Sequence, residues 1–162
     1  MAYAAAMSRS GADLALLLLG GFRSLVDDAT EELARRGYDD VRPVHDFAMR
    51  AIAAGADNAS ELGRRLSVSK QAAAKTIAVL QERGYVARDA DPHDARRKRL
   101  RVTELGFDVL RQGEEIFDEL RDRWKERIGA VELGKLEAHL VALVGATPVR
   151  FDTPGWLSRD LG

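Results

Sequence analysis

Four side chains within six residues, Lys70, Gln71, Ala74 and Lys75, have the types and spacing to read the edges of a nucleic-acid duplex. A glutamine amide carries a donor and an acceptor together and can pair in a bidentate way with an adenine edge. A lysine ammonium suits guanine acceptors or a phosphate. Ala72 and Ala74 let the backbone come close, and their methyls suit a thymine methyl. Ser67 and Ser69 precede this group, so hydroxyl donors join the free N–H groups of a helix N-terminus, which bind phosphate. Further along stands a basic row, Arg96, Arg97, Lys98 and Arg99. Alternate residues of a β-ribbon point to opposite sides, so the four cannot all enter one groove. One arginine fits an adjacent narrow minor groove, and the others hold phosphates or brace the ribbon. Asp94 is near enough in sequence to pair with Arg96 or Arg97 and fix the loop.

The elements that must position these groups are legible in the surrounding pattern. Asn58 caps a short helix, with Glu61 three residues on in a capping-box arrangement. Leu62 and Leu66 face inward, and Ser67-Val68 makes a turn. Ser69 caps the next helix, residues 69–83, which buries Ala73, Ile77 and Leu80 and is closed by Gly84. Residues 85–87 read as a strand, Asp91-Pro92 opens a turn, and residues 98–102 return. Two short helices, a turn and a basic hairpin make a winged helix-turn-helix.

Longer helices flank this core. Residues 11–36 show Leu14, Leu17, Leu18, Phe22, Leu25, Val26, Ala29 and Leu33 at helical spacing, ending before Gly37. The start of that helix is apolar on more than one side, which a lone chain cannot hide, so a partner chain is expected there. A second helix runs from Pro43 to about residue 54, with Val44, Phe47, Ala48 and Ile52 inward. Thr103 caps a fifth helix to about residue 128, with Leu105, Val109, Ile116, Leu120 and Trp124 as its stripe. A sixth covers 131–144. The expected class is mainly α with a small β-wing, a winged helix-turn-helix core flanked by dimerisation helices. A flexible N-terminus, 1–10, precedes a single domain over 11–145, with the winged helix at about 42–102 and dimerisation helices at about 11–36 and 103–145. Residues 146–162 form an irregular tail in which Phe151 and Trp156 are suited to tie it down.

Composition narrows the function classes. With 162 residues, 46% apolar and 31% charged, the chain has the balance of a soluble domain with a real core. The net charge of −1 is uninformative, but its distribution is not: residues 64–101 hold eleven Lys/Arg against four Asp/Glu, a local +7. The remainder carries −8, and such asymmetry marks one face for a polyanion. There is no cysteine, which excludes disulfides, thiolate metal sites and thiol redox sensing and fits a reducing cytoplasm. The apolar run inside 12–22 is too short to span a bilayer, and neither a signal peptide nor a membrane is expected. His45, His93 and His139 are scattered, so no metal is expected, and no cofactor. No nucleophile–base set or phosphate loop appears, which argues against an enzyme.

At the wing the residues resemble the MarR family of bacterial transcriptional regulators. The family's wing signature is approximately D-P-x-D-x-R, a short strand, then L-T-x-x-G. Here it reads Asp91-Pro92-His93-Asp94-Ala95-Arg96 and, after the strand, Val102-Thr103-Glu104-Leu105-Gly106, with Val102 where the family usually has leucine. The specific match covers about 60–106, and a weaker one in helix number and order extends over about 11–144. The resemblance implies a homodimer whose terminal helices intertwine. It also implies a palindromic duplex DNA operator read in successive major grooves about 34 Å apart. It implies that many members release DNA when a small aromatic or anionic effector binds between the dimerisation helices and the DNA-binding lobe. Arg23, Tyr38, His45 and Arg50, with Phe47 and Phe107, are the candidates for that pocket. The reading is a dimeric, ligand-released repressor. The alternative is a winged-helix module for protein contact or architectural DNA binding without ligand response.

Overall fold

The computed structural model describes residues 10–145. The expected flexible start and irregular tail, including Phe151 and Trp156, lie outside the described residues. The element order is α1 (Gly11–Arg35), α2 (Pro43–Ala53), α3 (Ala59–Leu66), α4 (Lys70–Glu82), β1 (Val86–Asp91), β2 (Asp94–Val102), α5 (Glu104–Ile128) and α6 (Ala130–Val144). The two strands form one antiparallel ribbon. No helix among the described residues is long and apolar enough to cross a membrane.

Local chemistry sets the helix starts. The Ser10 hydroxyl accepts from the Asp13 N–H while the Asp13 carboxylate accepts from the Ser10 N–H, a reciprocal cap for α1. Pro43 opens α2 with its φ already helical and no N–H to leave unpaired. Asn58 Oδ1 accepts from the Glu61 N–H at 2.9 Å. Only half of the expected capping box forms there. The Glu61 carboxylate turns instead to Arg64 and Arg65, at 2.7 and 2.9 Å. Two cations one helical turn away outbid a single backbone N–H.

The core gathers the inward faces of α2, α3, α4, the ribbon and the middle of α5. Met49, Leu62, Leu66, Ile77, Leu80 and Ile116 are its largest fully buried side chains. The α5 stripe departs from the sequence pattern at its start: Leu105 is 45% exposed, and Gly106 faces inward in its place. The reason is a close backbone approach. A Cβ on Gly106 would lie 2.2 Å from the Tyr85 carbonyl oxygen and 2.7 Å from the Val102 side chain. The same corner is stitched by Thr103. Its N–H donates to the Tyr85 carbonyl at 3.0 Å, and its hydroxyl donates to the Gly84 carbonyl at 2.6 Å and caps Gly106 at 3.1 Å. One clasp therefore joins the end of α4, the end of the ribbon and the start of α5.

The C-terminal half of α1 packs on α5 through Ala29 and Leu33, and Arg36 donates to Gln112 and Glu119 across the gap. The first half of α1 is bare: Leu14, Leu16, Leu17, Leu18 and Leu19 are all exposed, as are Val141, Leu143 and Val144 of α6. The strands run longer than the sequence suggested: Asp94 already pairs with Asp91, residues 95–97 form a bulge, and regular pairing resumes at Lys98 opposite Ala90.

Gly106→Ala should destabilise the fold by about 1–3 kcal/mol, the usual scale of overpacking a tight contact. A urea denaturation midpoint equal to that of the parent would show that the clasp has slack.

Candidate nucleic-acid interface

The turn between α3 and α4 dictates which face of α4 is presented. Ser67 takes a left-handed conformation, φ 54°, and the Val68 N–H returns to the Gly63 carbonyl at 2.9 Å. A Cβ on Gly63 would stand 2.9 Å from the Val68 carbonyl oxygen, so α3 must be bare there for the chain to fold back over it. Ser69 then caps α4, its hydroxyl oxygen accepting from the Ala72 N–H at 3.0 Å. The hydroxyl keeps its own proton to donate outward. Ala73, Ile77 and Leu80 are completely or almost completely buried, as the sequence pattern required. Lys70, Gln71, Ala74 and Lys75 are therefore left exposed on the opposite side, and Ser67 is half-buried in the turn.

Of the eleven cations between residues 64 and 101, six are held in ion pairs. Arg64 and Arg65 meet Glu61, Arg83 meets Asp40 at 3.0 Å, and Arg101 meets Asp89 across the ribbon. Arg97 and Arg99 both face Asp57, at 3.7 and 3.6 Å, and Arg99 also contacts Asp91 at 2.8 Å. Among the described residues, Lys70, Lys75, Arg88, Arg96 and Lys98 make no such pair. The basic row is thus split: Arg97 and Arg99 turn to carboxylates, and Arg96 and Lys98 stay unpaired.

Asp94 does not bind a guanidinium as the sequence suggested. Its carboxylate accepts from the Arg96 backbone N–H at 3.0 Å, which shapes the tip all the same. The carboxylate that fastens the hairpin is Asp91, nearly buried at 5% exposure. The His93 N–H at 2.9 Å and the Arg99 guanidinium hold its pKa below the ordinary 3.8, against the opposing effect of burial. Sequence reasoning missed Asp57 and Arg88. A loop aspartate one residue before a helix cap gives no local sign of a partner forty residues away.

The six residues named for an effector do not converge. The Tyr38 hydroxyl donates to the Asp108 carboxylate, which raises the tyrosine's pKa. Arg50 bridges Asp46 at 2.8 Å and Glu114 at 3.0 Å, tying α2 to α5. Arg23 lies exposed on α1, and Phe107 is 49% exposed beside Arg50 and Arg111 in a separate open groove. His45 is buried, and its Nδ1 accepts from the Arg42 N–H at 3.1 Å, so it caps the start of α2. Only Phe47 lines the half-open apolar cavity of about 210 Å³ between α1, α2 and α5. Phe22, Val26, Leu33, Val41 and Phe117 supply most of its remaining wall. The polar groups at its edge are already engaged: the Thr30 hydroxyl donates to the Val26 carbonyl, Asp46 holds Arg50, and Arg42 holds Asp40. No group of acidic, histidine or cysteine side chains among the described residues could hold a metal ion.

The chain matches the MarR family model over residues 47–97, the stretch from the middle of α2 into β2, the returning strand of the wing. No curated protein matches it in sequence. Among solved structures it is similar to a mutant MarR from E. coli, with 22% identity, a TM-score of 0.64, and 81% of this chain and 96% of that one covered. It is also similar to a mutant MepR from S. aureus bound to an oligodeoxyribonucleotide, with 15% identity, a TM-score of 0.58 and coverage of 82% and 96%. S. aureus MepR bound to ethidium bromide aligns with 16% identity, a TM-score of 0.56 and coverage of 85% and 96%.

Burial holds the His45 pKa below its ordinary 6.5. The folded chain then binds fewer protons than the unfolded one, so stability is full above about pH 6.5 and falls as pH drops through the folded value. Urea midpoints should decline as pH drops below about 6.5. His45→Asn, which retains an acceptor for Arg42 but does not titrate, should flatten that window. An unchanged decline in the variant would remove His45 as its source.

Proposed function

We propose that this chain, whose residues 47–97 carry a MarR-family winged helix-turn-helix and whose fold is that of the MarR regulators, is a dimeric, sequence-specific DNA-binding repressor released by a small ligand. The observation that carries the reading is the exposed face of α4. A capped helix N-terminus presents Ser69, Lys70, Gln71, Ala74 and Lys75 away from a stripe that cannot move. Ser67 lies at the turn beside it. Arg96 and Lys98 stand unpaired on the wing at its flank. Gln71 reads a base edge, the lysines and serines meet phosphates or guanine, and Arg96 reaches the neighbouring minor groove. Arg97 and Arg99 reach DNA only in so far as Asp57 and Asp91 release them. The MepR structure with an oligodeoxyribonucleotide supports this use of the fold.

A second copy of the chain covers the bare leucines of α1 and the exposed end of α6, because contiguous apolar surface of this kind is unstable in water. Pairing there gives two α4 helices and hence a near-palindromic operator with half-sites about 34 Å apart. The effector enters the cavity among α1, α2 and α5, where it touches both the pairing helices and the DNA-binding lobe. Its lining favours an uncharged aromatic body over an anion, since no unpaired cation of the described residues lines it. Of the residues first named for this role, Arg50, Tyr38 and His45 act as struts around the cavity, and Arg23 lies on the exposed side of α1. S. aureus MepR with ethidium offers a parallel for an aromatic ligand on this fold.

Selection from a random duplex pool, followed by fluorescence anisotropy over a salt series, tests the reading. A dimer neutralising about eight phosphates gives a log–log salt slope near −7. Weak binding, equal on selected and scrambled duplexes, would leave only the architectural alternative. Gln71→Ala should relax preference at one base pair per half-site by about 1–3 kcal/mol. An identical preference profile would take Gln71 out of base readout.

A further inference from the structure

The base of the wing contains a carboxylate that a DNA-binding surface would be expected to avoid. Asp57 sits between α2 and α3, partly buried, among the cations of the interface. Its neighbourhood is built around it. The Leu100 N–H donates to the Asp57 backbone carbonyl at 3.1 Å, which attaches β2 to this loop. The Asp57 carboxylate faces the guanidinium groups of Arg97 and Arg99 and accepts from Asn58 Nδ2 at 2.5 Å. Asn58 in turn caps α3 through its Oδ1. On the far side, Arg99 Nε contacts the buried carboxylate of Asp91 at 2.8 Å. Asp91 is also gripped by the tip through the His93 N–H. A continuous path therefore runs from the tip of the wing through Asp91, Arg99 and Asp57 to the N-terminus of α3. The turn at Gly63–Val68 then joins α3 to α4.

We propose that Asp57 is a positioning residue for DNA recognition: through Arg99 and Asp91 it locks the wing at one angle to α4, so that Arg96 and Lys98 meet the duplex in register with Gln71. This rests on the DNA-binding reading above. A two-stranded ribbon alone is a weak structure, and here most of its residues are exposed. Surface ion pairs contribute little to stability. The value of this set lies in geometry: Arg99 Nε stands between two carboxylates, 2.8 Å from the buried Asp91 and 3.6 Å from Asp57, which leaves the ribbon few angles to adopt. It also keeps Arg99 from folding onto phosphates wherever it finds them.

The sign of one substitution separates this from a bystander charge. Removing an acidic group from a face that binds a polyanion should, by electrostatics alone, tighten binding. Asp57→Ala is expected to do the reverse, weakening binding to the selected duplex by about tenfold, the scale of losing one base pair of readout. The salt slope should stay within about 0.9 of the parent, because no phosphate contact is deleted. Arg99→Lys, which keeps the charge but loses the Nε donor set between the two carboxylates, should weaken binding in the same way. In the free protein, amide exchange at Leu100 measured by NMR should quicken in both variants while exchange at Ile77 and Leu80 is unchanged. Tighter or equal binding by Asp57→Ala overturns the proposal, as does Arg99→Lys with parental affinity, or unaltered exchange at Leu100. If the parent protein itself shows no selectivity, the regulator reading fails instead, and the exchange data still decide whether the brace exists.

Discussion

Ala73, Ile77 and Leu80 lie along one side of α4 and are removed from water almost entirely. They meet a core that already contains Leu62, Leu66, Met49, Val86 and Leu100. Rotating α4 by one residue would expose this stripe and bury Lys70, Gln71 or Lys75, each costly without a partner. Everything outward on α4 is outward because these three are inward. The close approach at Gly63 and the cap at Ser69 then determine where along its axis the helix begins, so the exposed face has both direction and depth.

Around that helix the chain uses backbone contacts where precision matters and ion pairs where two elements must stay near each other. The corner of Tyr85, Thr103 and Gly106 is a backbone clasp, intolerant of even a methyl group. It couples the wing to α5, the long helix that runs toward the bare apolar ends of the molecule. Arg36, Arg50 and Tyr38 reach α5 from α1, α2 and the loop between them. The apolar cavity nearby takes its walls from the same three segments, α1, α2 and α5. A ligand bound there would act only through a difference in affinity between two arrangements of these struts. The pairing through exposed groups makes the struts easier to shift than the clasp.

Several features were legible in residue order because they depend on neighbours three or four positions away. Helical spacing located the six helices of the described residues to within a few positions. Asn58, Ser69 and Thr103 announced their caps, and the stripe of α4 followed from period alone. The wing signature ending in Gly106 pointed to the hairpin and to the small residue at its corner.

What the sequence could not express was competition between partners far apart in the chain. Glu61 looks like half of a capping box until Arg64 and Arg65 are placed beside it. Leu105 belongs to an apolar period, yet the Tyr85 carbonyl occupies the place its helix must approach, and Gly106 takes the inward position. The row Arg96, Arg97, Lys98 and Arg99 has uniform chemistry on paper. Asp57, some forty residues earlier, and the buried Asp91 divide it into braced and unpaired members. His45 reads as a ligand-binding side chain and serves as a cap. Sequence determined the elements and the chemical character of each face, since those arise from local spacing and capping. Tertiary structure decided which charges remain available, since an ion pair depends on distance in space and residue order does not record it.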